Sequence, residues 1–468
     1  MTDTSLPPWY YQSTTPVVTD WANVVSFSPE MYFTPKTLDE LQAFLSNFLA
    51  DSRPGKSLRF LGGLHSASNI FESDTVIDTS RLPLEFSVSP RPGGGQSVVA
   101  SAFMHAHDFL ARAAQYNLSL TALGGTDAQT LAGLISTNTA GATIHHSVYE
   151  TVDWVEYLTV SPDGKSIVMK RTTSADPAFA AVICSLGVMG FLTRVGFNLI
   201  TQTFYQATVG IKKLDDVLGD VVKTSAEWNF WRIEWLPKST TQGLFWGTNQ
   251  ISAPSDPNGD YPPDTTESYL KLAMHADEFM FKNGPFLNLP LELMYTVLAD
   301  TYSTTTAEGP MRNMIPYDRL ATLKVAMAEW SFRPSDLQQV MGICRTYFDA
   351  HEWPNLPTEI ECTRTDSYMM SPWNWSGLPF IVKFNFQYLT DFLTPADKAT
   401  MVDHLRGLWG ALEAAGVPFK AHWGKLNFLT PETVAKKYDL AGLLPHIQPT
   451  FLNAYIRERL ITGAAPGQ

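Results

Sequence analysis

The feature that most constrains the fold of this 468-residue chain is a change of texture near Ile200. Before it, short β-branched runs alternate with helix-like stretches. After it come segments such as TFYQATVGI (203–211), WNFWRIEWL (228–236) and IVKFNFQYL (381–389), rich in aromatic and β-branched residues. Runs of that composition suit antiparallel strands, with helical stretches between them. A chain that switches pattern in this way holds two domains, and its length supplies material for two buried cores.

Local signals place the elements. Thr37-Leu38-Asp39-Glu40 has the form of a capping box, followed by a helix with Leu38, Leu41, Phe44, Leu45 and Phe48 on one face. Strands are expected at 57–61, 75–78 and 97–100, and a helix over 105–115. Thr394-Pro395-Ala396-Asp397 opens a further helix that runs to about Gly416. The stretch APSDPNGDYPPD (253–264) reads as a surface loop.

Composition excludes several classes of function. Hydrophobic residues are 44% and charged residues 17%, as in a folded enzyme. The balance of 33 basic against 46 acidic residues, −13 overall, argues against a nucleic-acid surface or a patch for anionic lipid. Cys184, Cys344 and Cys362 are far apart, with neither metal nor disulfide spacing, and suit a reducing compartment. The N-terminus lacks the order of a signal peptide, and the apolar run 178–192 is too short to span a bilayer. A cytoplasmic protein without a membrane or nucleic-acid partner is expected; the sequence leaves the oligomeric state open.

The loop RFLGGLHSASN (59–69) raises a chemical question, because a histidine follows two adjacent glycines. By itself it is either a plain turn or a backbone cradle that holds a ligand beside His65. The G-x-G-x-x-G signature of a Rossmann dinucleotide site is missing, as is the G-x-S-x-G elbow of a hydrolase. His105-Ala106-His107 has metal-like spacing without a carboxylate or cysteine cluster, so no metal is expected.

Four further segments join that loop: GGTDAQTLAGLISTNTAG (124–141), SLGVMGFLTRV (185–195), TEIECTRTDSYMMSP (358–372) and AHWGKLN (421–427). With DWANVVSFSPEMYFTPKTLDEL (20–41) and FLNAYIRERL (451–460), the ordered set resembles the vanillyl-alcohol-oxidase (PCMH-type FAD-binding) superfamily, nearest its aldonolactone oxidase and alditol oxidase group. The resemblance implies an α+β, two-domain PCMH-type fold. Residues 1–200 would bind FAD, 201–445 would form an antiparallel-sheet substrate (cap) domain, and 446–468 would return to the first domain.

The resemblance also implies roles. His65 corresponds to the histidine joined covalently to the flavin, within a loop of Leu61, Gly62, Gly63, Leu64 and Ser66 that contacts the cofactor. Gly124, Gly125, Thr126, Gly133, Thr137, Thr139 and Gly141 would supply donors to the FAD diphosphate, with His145 a neighbour and Leu192 on the strand beneath the adenine side. Relatives linked twice carry a cysteine near this run; here there is none, so any link runs through His65 alone. Many relatives read T-H-G where this chain has Thr139-Ala140-Gly141.

At the reaction centre the pattern E-x-R becomes Glu359-x-Glu361. Alternation puts both carboxylates on one face, where each raises the other's pKa. Reversal of charge at 361 would favour a neutral or cationic substrate, unless Arg364 turns inward. The match of His422 and Lys425 implies a flavin contact and a cation near the substrate or flavin. Glu329, Trp330 and Asn385 are expected to line the substrate pocket. The implied function is an oxidase moving hydride from a CH–OH or CH–NH group of a small polar substrate to FAD, with dioxygen as acceptor and hydrogen peroxide as product. A dehydrogenase using another acceptor and a non-redox flavoprotein remain open alternatives.

Overall fold

The computed structural model describes residues 16–50, 56–235, 241–260, 305–315, 324–351, 357–390 and 393–461. Early in the chain, a parallel three-stranded sheet sets Thr75–Asp78 between Met31–Phe33 and Leu58–Leu61. The helix Leu38–Ala50 covers it, burying Leu41, Phe44, Leu45 and Phe48, the face expected from the sequence. Thr37 Oγ1 accepts from the Glu40 amide at 3.1 Å, while the Glu40 carboxylate accepts from the Lys36 amide at 2.7 Å. Two otherwise orphaned donors at the helix start are thereby satisfied.

Next comes an antiparallel sheet with the strand order 167–173, 152–160, 191–201, 96–101, 86–90. Its central strand, Phe191–Thr201, is entered through the apolar run 178–192. That run forms the short helix Phe179–Val182 and then a tight turn in which Cys184, Leu186, Gly187 and Gly190 all have positive φ. Helix geometry is thus broken well before membrane-spanning length. Among the described residues, no helix is long and apolar enough to cross a membrane.

After residue 203 the chain builds an eight-stranded antiparallel sheet. Its order is 305–310, 204–213, 242–251, 230–235, 358–364, 380–389, 325–332, 419–421. The three aromatic segments singled out in the sequence contribute the strands 204–213, 230–235 and 380–389, and all are antiparallel to their neighbours. Period-2 alternation divides this sheet chemically. Trp330, Phe332, Phe384 and Phe386 face the helices Leu337–Ala350 and Pro395–Ala414, with the Trp330 ring 5.3 Å from that of Trp409. The opposite face carries charge. Thr394 caps the long helix reciprocally with Asp397, and Gly416, at φ +68°, follows its end. The expected loop at 253–264 is irregular over 252–260; its remainder lies outside the described residues.

The C-terminal segment packs back on the first strands. Asn453 Nδ2 donates to the carbonyls of Asn69, Ile70 and Glu72, and the Phe451 carbonyl accepts from Arg59 Nη1 at 2.9 Å.

Candidate active site

The loop 62–68 leaves its strand and is clamped from three directions. The Leu64 carbonyl accepts from the Trp21 amide at 2.8 Å, and the Trp21 ring lies 5.2 Å from the His65 imidazole. The Ala67 amide donates to the Gly424 carbonyl, and Ser68 Oγ to the Trp423 carbonyl at 2.7 Å. Asn453 holds the far end. Gly62 and Gly63 do not use the positive φ that glycine permits; Leu64 does, at φ 56°. What the glycines allow is close passage. A Cβ on Gly63 would stand 2.4 Å from the Ala128 carbonyl oxygen, and one on Gly62 would stand 2.6 Å from Thr130 Oγ1. The ordinary explanation for paired glycines, a left-handed turn, is therefore replaced here by a crossing of two loops.

A cavity opens beside this loop. It is bordered by 61–66 on one side and by Thr130, Gly133, Thr137, Gly187 and Leu192 on the other. No acceptor among the described residues meets the amides of Gly63, Leu64, His65 or Ser66. Arg59, buried in the cavity wall, likewise has an Nε with no acceptor among them. Burial, then Lys425, then His105 push the His65 imidazole down to about 4, so it is neutral at neutral pH.

The turn 422–425 brings the second sheet to His65. The His422 amide donates to the Glu329 carbonyl and the Leu426 amide to the Met327 carbonyl, which fixes the turn along the strand Val325–Phe332. Lys425 Nζ lies 3.4 Å from Met327 Sδ. His422 Nδ1 accepts from the Gly424 amide at 3.1 Å, and burial, followed by Lys425 and Lys383, holds its pKa well below the usual range.

Strand register lays out the charged face. Glu234, Glu359, Asn385 and Glu329 form one lateral row across four strands; Arg232, Glu361, Lys383 and Ser331 form the next. Arg232 Nη1 lies 2.6 Å from Glu359 Oε1, and Lys383 Nζ lies 2.6 Å from Glu361 Oε1 and 3.7 Å from Glu329 Oε1. Lys383 also donates to the Ala140 carbonyl at 3.3 Å. Burial raises the Glu359 carboxyl, Arg232 pulls it back, and Glu361 raises it further. Burial disfavours the Lys383 charge, but Glu361 and Glu329 more than offset it, and its pKa ends above the usual value.

A scan against protein families matches residues 29–170 to the FAD binding domain family. Curated relatives extend the match along the whole chain. Mouse L-gulonolactone oxidase is 21% identical over 450 residues, 94% of this chain and 97% of the relative. The bovine L-gulonolactone oxidase is 25% identical over 457 residues, again 94% and 97%. Yeast (Saccharomyces cerevisiae) D-arabinono-1,4-lactone oxidase is 25% identical over 248 residues, 52% of this chain and 45% of the relative. These relatives lie in the PCMH-type FAD-binding superfamily, which this chain resembles along nearly its whole length. The chain is an FAD-dependent oxidoreductase. Cholesterol oxidase from B. sterolicum shares the fold, with a TM-score of 0.74 at 12% identity, covering 98% of this chain and 99% of that structure.

The residues present fit the superfamily's cofactor. Loop amides without acceptors, with a buried guanidinium nearby, suit the negative charge of a diphosphate. Of the residues expected to hold FAD, Leu61, Gly62, Gly63, Leu64, His65, Ser66, Gly133, Thr137 and Leu192 border the cavity. Gly124, Gly125, Thr126, Thr139, Gly141 and His145 do not. Gly124 is packed on Thr139, Gly141 on the Leu123 carbonyl, and His145 Nε2 meets the Ser225 carbonyl at 3.0 Å.

Three expectations for the reaction centre change. Trp330 is not beside Glu329 in a pocket. It is fully buried on the helix-covered face, because consecutive strand residues point oppositely. Arg364 does not turn inward: its guanidinium pairs with Glu150 at 3.1 Å and is half exposed. Nor does Glu361 simply reverse the local charge, because Lys383, opposite it on the next strand, balances it. Lys383, Arg232, Trp21 and Arg59 were missed. A lysine within an apolar strand was the available signal for Lys383, but its partner depends on register.

Proposed function

We propose that this enzyme is an FAD-dependent oxidase acting on a CH–OH group of an uncharged, polyhydroxylated substrate of the aldonolactone kind. The observation that carries this reading is the docking of the His65 loop on the 422–425 turn. It puts the imidazole beside Lys425, which reaches Met327, two residues from Glu329 on the charged row. His65 is the residue to which the flavin is joined, through an imidazole kept neutral by burial and therefore nucleophilic. Bound FAD supplies the hydride acceptor, and dioxygen restores its oxidised form with release of hydrogen peroxide.

The chain's own groups divide the remaining work. Residues up to about 200 hold the cofactor, residues 201–445 hold the substrate, and the tail closes the first part. Glu359, its carboxyl raised and held by Arg232 and Asn385, takes the substrate hydroxyl proton. Lys425 and Lys383 keep positive charge at the His422 end of the site, where negative charge accumulates during reaction. An ammonium group would meet those lysines, which favours a neutral substrate over an amine. The relatives named as lactone oxidases support the same class.

Anaerobic mixing with a panel of aldono-1,4-lactones, alditols and amines tests the reading. The flavin should bleach with a lactone or alditol, and admission of air should return the colour with one peroxide per substrate. Bleaching by amines alone, or by no member of the panel, overturns it.

A further inference from the structure

Four side chains bearing acceptors lie side by side in the row Glu234, Glu359, Asn385, Glu329. The two carboxylates that flank Asn385 are served differently. Glu359 receives Arg232 Nη1 at 2.6 Å and Asn385 Nδ2 at 3.2 Å. Glu329 has Lys383 at 3.7 Å as its sole charged partner among the described residues. Asn385 itself is only 5% exposed. Its amide orientation is set by chemistry, because only the NH2 group can face the Glu359 carboxylate. Oδ1 must then point away from Glu359, and no donor among the described residues reaches it.

A buried carbonyl oxygen without a donor is costly, and a strand neighbour that is itself a carboxylate cannot supply one. The flanking residues in register, Glu359 and Glu329, are both acceptors when ionised. The missing group has to bring its own hydrogen. Residues directly opposite on antiparallel strands have Cβ atoms about 4.5–5.5 Å apart, so Asn385 Oδ1 and the Glu329 carboxylate can engage neighbouring groups of one small molecule.

We propose that Asn385 Oδ1 and the Glu329 carboxylate form a hydroxyl-recognition subsite that accepts hydrogen bonds from adjacent hydroxyls of the substrate, a vicinal diol. This deepens the oxidase reading above and rests on it for the location of the substrate. Asn385 is then a specificity residue. It recognises hydroxyls that do not react, and its own amide keeps the Glu359 carboxylate in place. A site built to bond a hydroxyl discriminates strongly against an analogue lacking it, because the protein acceptor is left buried and unpaired.

The test uses the flavin-loaded enzyme without oxygen. The probes are an aldono-1,4-lactone, its series of singly deoxygenated analogues, and an amino-deoxy analogue. Binding is read from the perturbation of the flavin spectrum and chemistry from the rate of bleaching, for wild type, Asn385→Leu and Asn385→Ser. Two variants are needed because the leucine could disturb the sheet; flavin content and thermal unfolding report that directly. In wild type, at least one deoxygenated analogue should bind more than about tenfold weaker than the parent. In both variants that penalty should shrink to less than about threefold, a change in ratio that general loosening of the fold would not produce.

An unchanged ratio in both variants overturns the subsite, as does loss of binding by the wild type to an amino-deoxy analogue whose nitrogen, also a donor, replaces the recognised hydroxyl, down to the level of the deoxygenated analogue. Absence of any spectral response to the neutral probes overturns it too. If binding shows the expected ratios but no probe bleaches the flavin, the oxidase reading fails and the subsite stands.

Discussion

Lys383 and Glu361 face each other on adjacent strands, with Nζ 2.6 Å from Oε1 and both side chains almost wholly buried. The same ammonium reaches the Ala140 carbonyl, just past the helix Leu131–Thr137 and within the residues 29–170 that match the FAD binding domain family. One buried cation thus neutralises a carboxylate of the eight-stranded sheet and ties that sheet to the segment that follows the helix Leu131–Thr137.

Removal of that cation should cost stability. Lys383→Met leaves Glu361 buried without its partner, and breaking a buried pair in this way costs about 3–5 kcal/mol. The double variant Lys383→Met/Glu361→Gln should recover much of the loss. Chemical denaturation of the wild type and the two variants checks this; equal losses in the single and double variants would show that the pairing is not what stabilises the sheet.

His65→Ala should abolish covalent flavin. An acid-treated denaturing gel viewed under ultraviolet light should show fluorescence on the 52.0 kDa band of the wild type and at the dye front for the variant. Trp21→Ala, which removes the ring beside the imidazole, should lower the fraction of linked flavin without abolishing it.

The two faces of the sheet should respond differently. Trp330→Ala removes a fully buried indole packed against Trp409 and should cost about 3–5 kcal/mol. Its neighbour Glu329 faces the site, so Glu329→Gln should slow flavin bleaching while moving the unfolding midpoint little. Comparison of the two midpoints and the two bleaching rates decides the matter.

Glycines in the cofactor region should separate by what surrounds them. Gly63→Ala forces a methyl toward the Ala128 carbonyl and should cost about 1–3 kcal/mol with loss of bound flavin. Gly125 has open space where a Cβ would go, so Gly125→Ala should shift stability by no more than about 0.5 kcal/mol. Denaturant midpoints of the two variants provide the comparison.

Asp366 predicts a pH effect with a definite sign. Burial raises its carboxyl from 3.8 to about 6, against hydrogen bonds from Asn138, Ser371 and the Tyr368 amide that lower it. The native state therefore holds this proton more tightly than the unfolded chain between those values. Its stabilising contribution is complete below 3.8 and is lost as pH rises through about 6. The slope is at most about 1.4 kcal/mol per pH unit. Asp366→Asn should flatten the stability curve in that window, measured by denaturation from pH 4 to pH 7.

Much of the fold was legible because its signals are local. The helix at 38–50 follows from its cap and its apolar spacing, and the strand at 75–78 from a β-branched run. The strands Phe204–Lys213, Phe230–Trp235 and Phe380–Leu389 follow from aromatic and β-branched runs for the same reason. The loop 62–68 stood out through a motif, and its glycines serve close passage rather than the left-handed turn that paired glycines usually make. Their close passage by Ala128 and Thr130 is a contact between segments more than 60 residues apart, invisible to any local rule.

The amino-acid sequence by itself determined which segments form strands, which residues alternate across them, and that Glu359 and Glu361 share a face. Tertiary structure alone decided what opposes each carboxylate. Register set Lys383 against Glu361 and Asn385 between Glu359 and Glu329, while Arg364 was carried out to Glu150. The physical reason is that alternation is a property of one strand, whereas charge balance on a sheet is a property of neighbouring strands. A slip of a single residue in pairing would have given the same sequence pattern a different active site.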